Sequence, residues 1–234
     1  MRYLLCVIIS YLIGTFNPSY IVGVKKSINV KEKGSKNAGA SNALILFGKV
    51  VGVVCALLDI GKACLAIALC RKIFSGLSYV FAIAGTSCII GHIFPFYLKF
   101  KGGKGLACLG GVVLMFDFRY FLLLLAAELV IALATDYICF VPITASVIFP
   151  VSYGILRGDV IGALILGMGM SLAMTDIGKI IGLLGGMAML IGILIGIIGI
   201  VLVSVAYPIY NSIIKKEREK IAPEIIRLTD ELMK

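Results

Sequence analysis

Long apolar runs, several close to the ~20 residues a helix needs to cross a bilayer, dominate this chain and restrict what it can fold into. Runs such as Ile191–Val205 are continuous, whereas a transmembrane barrel needs apolar and polar residues in alternation, so strands are excluded. The chain is 61% hydrophobic, and a soluble domain is only about half apolar. The expected class is all-α: a polytopic integral membrane helical bundle, seated in the lipid bilayer.

Seven spans are expected, over Met1–Val24, Leu44–Cys70, Ser78–Leu98, the short Leu106–Phe116, Tyr120–Ala134, Ile138–Leu156 and Val160–Met174. Met1–Val24 has a weak positive start, and Asn17-Pro18-Ser19 runs on into apolar residues without a cleavage site. It reads as a retained span, not a signal peptide. Pro18 lacks an N–H and kinks that span. Asp59 and Lys62 lie inside the second span at i,i+3. Intramembrane charges are costly, so the two are expected to pair as a structural unit. Ile180–Ala206 adds an extra C-terminal span. The units are therefore residues 1–179, a membrane domain; 180–210, the additional span; and 211–234, a charged tail.

The net charge is +10, from 22 Lys and Arg against 12 Asp and Glu. No aromatic-interleaved basic domain accompanies it, so no nucleic-acid partner is expected. The charge sits in short loops, where a basic excess marks the cytoplasmic side and attracts anionic lipid or phosphate. Alternation puts Lys25, Lys26, Lys31, Lys33, Lys36, Lys49, Lys99, Lys101 and Lys104 on one side. The other side has only Arg71, Lys72, Arg119 and Arg157. The N-terminus is thus expected outside the cell membrane, with the lysine-rich loops cytoplasmic. The 7 cysteines are odd in number, lie mostly within apolar runs and form no CxxC pair. Neither a disulfide framework nor a zinc site is expected.

Two loops on the cytoplasmic side combine glycine with polar residues. Gly34–Asn42 offers hydroxyls, amides and Lys36 just before a helix start. Lys101-Gly102-Gly103-Lys104-Gly105 again precedes a helix. Glycine lets backbone N–H groups approach a ligand, and N–H groups at a helix start attract anions. A Walker A loop is excluded, because Leu98 stands where its first glycine belongs and Gly105 where its Ser/Thr belongs. Each loop alone is a common feature. Two on one face point to a phosphate or phosphoester site.

Three stretches together resemble a known family: Gly34-Ser35-x-Asn37-x-Gly39-Ala40-Ser41-Asn42, Leu57-Leu58-Asp59-x-x-Lys62, and Gly91-His92-x-Phe94-Pro95 leading to Phe100-Lys101-Gly102-Gly103-Lys104-Gly105. Their order and spacing are similar to the bacterial acyl-phosphate:glycerol-3-phosphate acyltransferases of PlsY type. The resemblance implies a seven-span plasma-membrane transferase of phospholipid biosynthesis. It moves an acyl group from acyl phosphate to the sn-1 hydroxyl of glycerol 3-phosphate, giving lysophosphatidate, with no metal and no cofactor. Carried over by residue, Ser35, Lys104 and Cys139 become catalytic. Asn37, Asn42, Lys101, Gly102, Gly103 and Gly105 become substrate- or phosphate-binding, the glycines through their N–H groups. His92 reads as a structural residue at a helix end, hydrogen-bonded near the headgroups, because the family's invoked histidine lies in a later motif.

The second half departs from the family pattern. Cys139 replaces a serine in Tyr137-Ile138-Cys139, and Ile45 stands where the family has arginine. Where the family has an Arg-His-x-x-Asn-type motif, this chain reads Ala173–Lys179, with neither the histidine nor the asparagine. A second reading therefore stands beside the enzyme: a catalytically degenerate relative that binds acyl phosphate or lysophospholipid without turnover. A transporter is disfavoured, because no inverted repeat with broken helices is visible.

Overall fold

A residue without an N–H costs a helix interior one hydrogen bond, but it suits the first turn of a new helix. Pro18 does this in the computed structural model, which describes residues 1–135 and 140–168. The first apolar run is two helices, α1 (Arg2–Thr15) and α2 (Pro18–Lys25). Asn17 caps the second, its side-chain oxygen accepting the Tyr20 N–H at 2.9 Å.

After a loop come α3 (Ala40–Phe47) and α4 (Lys49–Ile73). The expected span Leu44–Cys70 is therefore corrected: it breaks at Gly48, whose φ of 92° favours glycine. Next are α5 (Val80–Ile93), a single 3-10 turn at Phe96–Leu98, α6 (Leu106–Phe116), α7 (Phe118–Thr135) and α8 (Phe140–Arg157). Residues 160–168 are again helical. Only Asp117 separates α6 from α7, and its carboxylate caps the new helix by accepting the Tyr120 N–H at 2.8 Å.

No strand occurs among the described residues. Three stretches of the described residues are long and apolar enough to cross a membrane: Arg2–Lys25, Lys49–Ile73 and Val80–Leu98. At ~1.5 Å per residue, even the shortest approaches the ~30 Å hydrocarbon thickness. The 11 residues of α6 do not reach it. The extra span over Ile180–Ala206 and the tail at 211–234 lie outside the described residues.

The Val80–Leu98 stretch is the most enclosed of the three, and α1, α4 and α6 pack around α5. Glycine permits the closest approach. A Cβ on Gly14 of α1 would strike the Cys88 backbone of α5, and one on Gly91 would strike the backbone of Tyr11 and Thr15. Small residues at such crossings replace the hydrophobic drive that is missing in lipid. The outer faces of α1, α4 and α7 expose Leu4, Ile8, Val50, Leu57, Leu123 and Leu129, an apolar exterior.

Candidate active site

The loop after α5 is shaped by two residues that carry side chains in the left-handed region, Lys99 (φ 55°) and Phe100 (φ 57°). They turn the chain back over the end of α5. The Gly102 N–H then donates to the Ile93 carbonyl at 2.8 Å, and the Gly103 N–H to the His92 carbonyl at 3.1 Å. A Cβ on Gly102 would meet the His92 carbonyl, and one on Gly103 would meet the His92 ring. Gly105 (φ 78°) then starts α6.

The N–H groups of Gly102 and Gly103, expected to face a phosphate, here donate to carbonyls of α5. The first turn of α6 still leaves N–H groups without helical partners, and the positive end of the helix lies there. Lys104, partly buried, and Lys101, exposed, put two cationic side chains on this loop.

The first loop is knitted by Asn42. That residue is fully buried; its oxygen accepts the Ser35 N–H at 2.7 Å, and its amide donates to the Val30 and Lys33 carbonyls at 2.8 and 3.1 Å. Asn42 was expected to contact substrate. Its side-chain donors are instead consumed in holding the loop. Ser35 is exposed and Asn37 partly so.

The two loops meet. The Ala38 N–H donates to the Gly102 carbonyl at 3.4 Å, and a Cβ on Gly39 would lie 3.7 Å from Asn37 Oδ1 and 3.8 Å from Gly103 Cα. Lys31 Nζ donates to the Leu98 carbonyl at 2.9 Å. Asn37, Gly102 and Gly103 thus come together where α3 begins, with the start of α6 only three residues beyond Gly103.

Asn17 is the residue that sequence reasoning missed. It is fully buried, and its amide donates to the Ala38 carbonyl at 2.8 Å while its oxygen caps α2. An Asn directly before a helix-starting Pro was the available signal. Tyr97 and Tyr11 add two more ties, donating to the Thr15 and Phe94 carbonyls.

Beneath the loops, Lys62 Nζ lies 2.7 Å from Asp59 Oδ1, the pairing the i,i+3 spacing suggests. The same nitrogen lies 2.7 Å from His92 Nδ1 and donates to the Phe16 carbonyl at 2.6 Å. Phe16 sits at the break between α1 and α2, where carbonyls lose helical partners. His92 is at a helix end, as expected, but only 3% exposed. Its partners are protein groups, not headgroups. Ligand atoms of Asp59, His92 and Cys108 lie within 4.8 Å of one another, a grouping with metal-binding atom types. The Lys62 ammonium already supplies a positive charge there.

Ile45 is 61% exposed on α3 and brings no charge. Cys139 and the stretch Ala173–Lys179 lie outside the described residues.

Comparison with known proteins adds the rest. Residues 4–186 match the profile of the glycerol-3-phosphate acyltransferase family. Glycerol-3-phosphate acyltransferase 1 of Oceanobacillus iheyensis is 39% identical over 146 residues, covering 59% of this chain and 70% of that protein. A glycerol-3-phosphate acyltransferase of Streptococcus thermophilus is 37% identical over 167 residues, covering 68% of this chain and 78% of its own. Among solved structures, PlsY (YgiH), an integral membrane glycerol 3-phosphate acyltransferase, superposes in its glycerol 3-phosphate form with a TM-score of 0.67 and 27% identity. The match covers 78% of this chain and 94% of that one. Its lysophosphatidic acid form gives the same TM-score at 26% identity, over the same 78% and 94%. The apolar helices and this likeness make the chain a membrane protein. It belongs to the glycerol-3-phosphate acyltransferase family.

Proposed function

We propose that this chain transfers an acyl group from acyl phosphate to the sn-1 hydroxyl of glycerol 3-phosphate, releasing lysophosphatidate and inorganic phosphate. The observation that carries this reading is the meeting of the two glycine-containing loops beside Lys104, in a chain whose relatives bear the acyltransferase name. Those names favour turnover over binding alone.

The chemistry asks little of the protein. The acyl carbon of a mixed anhydride already has a good leaving group. The glycerol hydroxyl forms the new C–O bond, the bond to the phosphate oxygen breaks, and the proton passes to a phosphate oxygen. The protein aligns the hydroxyl and stabilises the developing negative charge. Lys104 and Lys101, with the start of α6, hold a phosphate. Ser35 and Asn37 supply polar contacts from the first loop, and Cys139 takes the place of the family's serine. With Ile45 in place of arginine, the lysines carry the anionic load.

The proposed topology is seven spans plus one after residue 180, with the N-terminus outside and both loops cytoplasmic. Residues 1–179 form the catalytic unit, 180–210 the added span and 211–234 the tail. Membranes expressing the chain, given acyl phosphate and glycerol 3-phosphate, should form lysophosphatidate. Loss of a charge-assisted contact worth ~1.5–3 kcal/mol should make Lys104→Ala roughly 10- to 150-fold slower. Product formation no greater than in that variant would remove the reading.

A further inference from the structure

Below the loops lies a group that no step above uses. Lys62 Nζ donates to the Phe16 carbonyl at 2.6 Å, lies 2.7 Å from His92 Nδ1 and forms an ion pair with Asp59 Oδ1 at 2.7 Å. The site is closed to solvent, with Asp59 1% and Lys62 5% exposed. Beside it, Asp59, His92 and Cys108 offer ligand atoms within 4.8 Å of one another. Lys62 acts as the built-in cation.

This has a consequence for the imidazole. Lysine ammonium donates and never accepts. Nδ1 of His92 is thus an acceptor, closer to Lys62 than to Asp59, whose Oδ1 is 3.3 Å away. The ring proton then belongs on Nε2, because one nitrogen of a neutral imidazole accepts while the other donates. Nε2 is the atom that faces the loop. A Cβ built on Gly103 would collide first with Nε2, ahead of the neighbouring ring carbons. The His92 carbonyl meanwhile accepts the Gly103 N–H at 3.1 Å. One residue holds Gly103 from two sides.

We propose that Lys62 and Asp59 lock His92 as the Nε2–H tautomer, and that this ring edge sets the position of Lys101–Gly105 against the phosphate-bearing substrate. His92 is a positioning residue, acting through Gly103 and Lys104 without touching substrate. The inference rests on the reading of that loop as a phosphate site.

The chain has 1 histidine, so labelling with 15N-histidine reports a single ring. In the full chain purified in detergent, NMR should show a protonated Nε2 and an unprotonated Nδ1. Adding glycerol 3-phosphate should shift Nε2 more than Nδ1. A ring protonated on Nδ1, or on both nitrogens, overturns the inference. Calorimetry with the same ligand, on the natural chain and on Lys104→Ala, separates the two ideas. If neither binds, the phosphate reading falls. If the natural chain binds and Nε2 does not move, the positioning role falls. Kinetics give a check independent of folding. His92→Gln places an amide nitrogen near the Nε2 position and should stay within about 3-fold of the natural KM for glycerol 3-phosphate; His92→Leu should raise it about 10-fold or more, with kcat little changed. Equal loss in both variants, or loss confined to kcat, counts against positioning.

Discussion

The two ends of the helix bundle are built from different interactions. At the loop end, side chains reach backbone carbonyls: Asn17 to Ala38, Lys31 to Leu98, Asn42 to Val30 and Lys33, Lys62 to Phe16. At the opposite end, where α4, α6 and α8 finish, rings fill the space. Phe81 stacks on Tyr153 with centroids 5.4 Å apart at 10°, and Phe116 meets Phe149 edge-on at 5.6 Å. Arg71 and Arg157 lie over Phe81 and Phe116 at 4.9 and 5.2 Å. Hydrogen bonds to named carbonyls are directional and fix one backbone shape. Ring packing rewards volume and tolerates rearrangement. The lysine-bearing loops are bonded atom by atom to named carbonyls, whereas the far end is filled mainly by rings.

The largest effect that tests this contrast is expected at the ring end. Phe149 is fully buried, and truncating a buried phenylalanine costs about 3–5 kcal/mol. Phe149→Ala should lower the midpoint of thermal unfolding in detergent more than any loop variant. Acyl transfer per folded molecule should remain near the natural rate. A fall in specific activity at temperatures well below the midpoint would show that the two ends are coupled, and the contrast would fail.

Next in size is Asn42→Ala. It removes one acceptor and two donor contacts and leaves the Val30 and Lys33 carbonyls short of partners. Unsatisfied buried groups cost ~1–3 kcal/mol each, but loop groups regain water when the loop opens, which limits the loss of global stability. The expected outcome is a small drop in unfolding midpoint and a larger drop in activity, the reverse of Phe149→Ala. If stability falls as far as with Phe149→Ala, Asn42 belongs to the core and the loop end is not a separate unit.

These variants also mark what the chain's order of residues makes visible. Pro18 shows a helix break because the missing N–H is a property of one residue. The Asp59–Lys62 pair shows itself because three-residue spacing places both on one helical face. Gly48 does not, since glycine is common within membrane helices and apolar residues flank it on both sides. The use of the Gly102 and Gly103 N–H groups is hidden for a different reason. It depends on Lys99 and Phe100 adopting left-handed backbone, which neither residue type announces. Asn42 reads as a loop amide near a helix start, a position equally suited to holding substrate or holding the loop. Only tertiary structure decides, by turning the side chain toward Val30 and Lys33. His92 is similar: the sequence puts it at a helix end, and the Lys62 side chain from another helix makes that end a buried one.

The smallest effect is expected at the rim of the ring end. Arg157 lies over the Phe116 ring, and the same ring packs against Phe149 and Tyr153. An exposed cation–π contact contributes about 0.5–1 kcal/mol. Arg157→Lys keeps the charge but loses the flat guanidinium face, and Arg157→Gln loses the charge as well. If the contact to the ring matters, unfolding midpoints should fall in the order natural chain, Lys, Gln, with steps small beside that of Phe149→Ala and with activity unchanged. If Lys and Gln are equal to each other and below the natural chain, the planar stacking surface alone is responsible. An activity change in either variant would mean that the outer arginines influence the loop end through α8, and it would tie together two regions that the bonding pattern keeps apart.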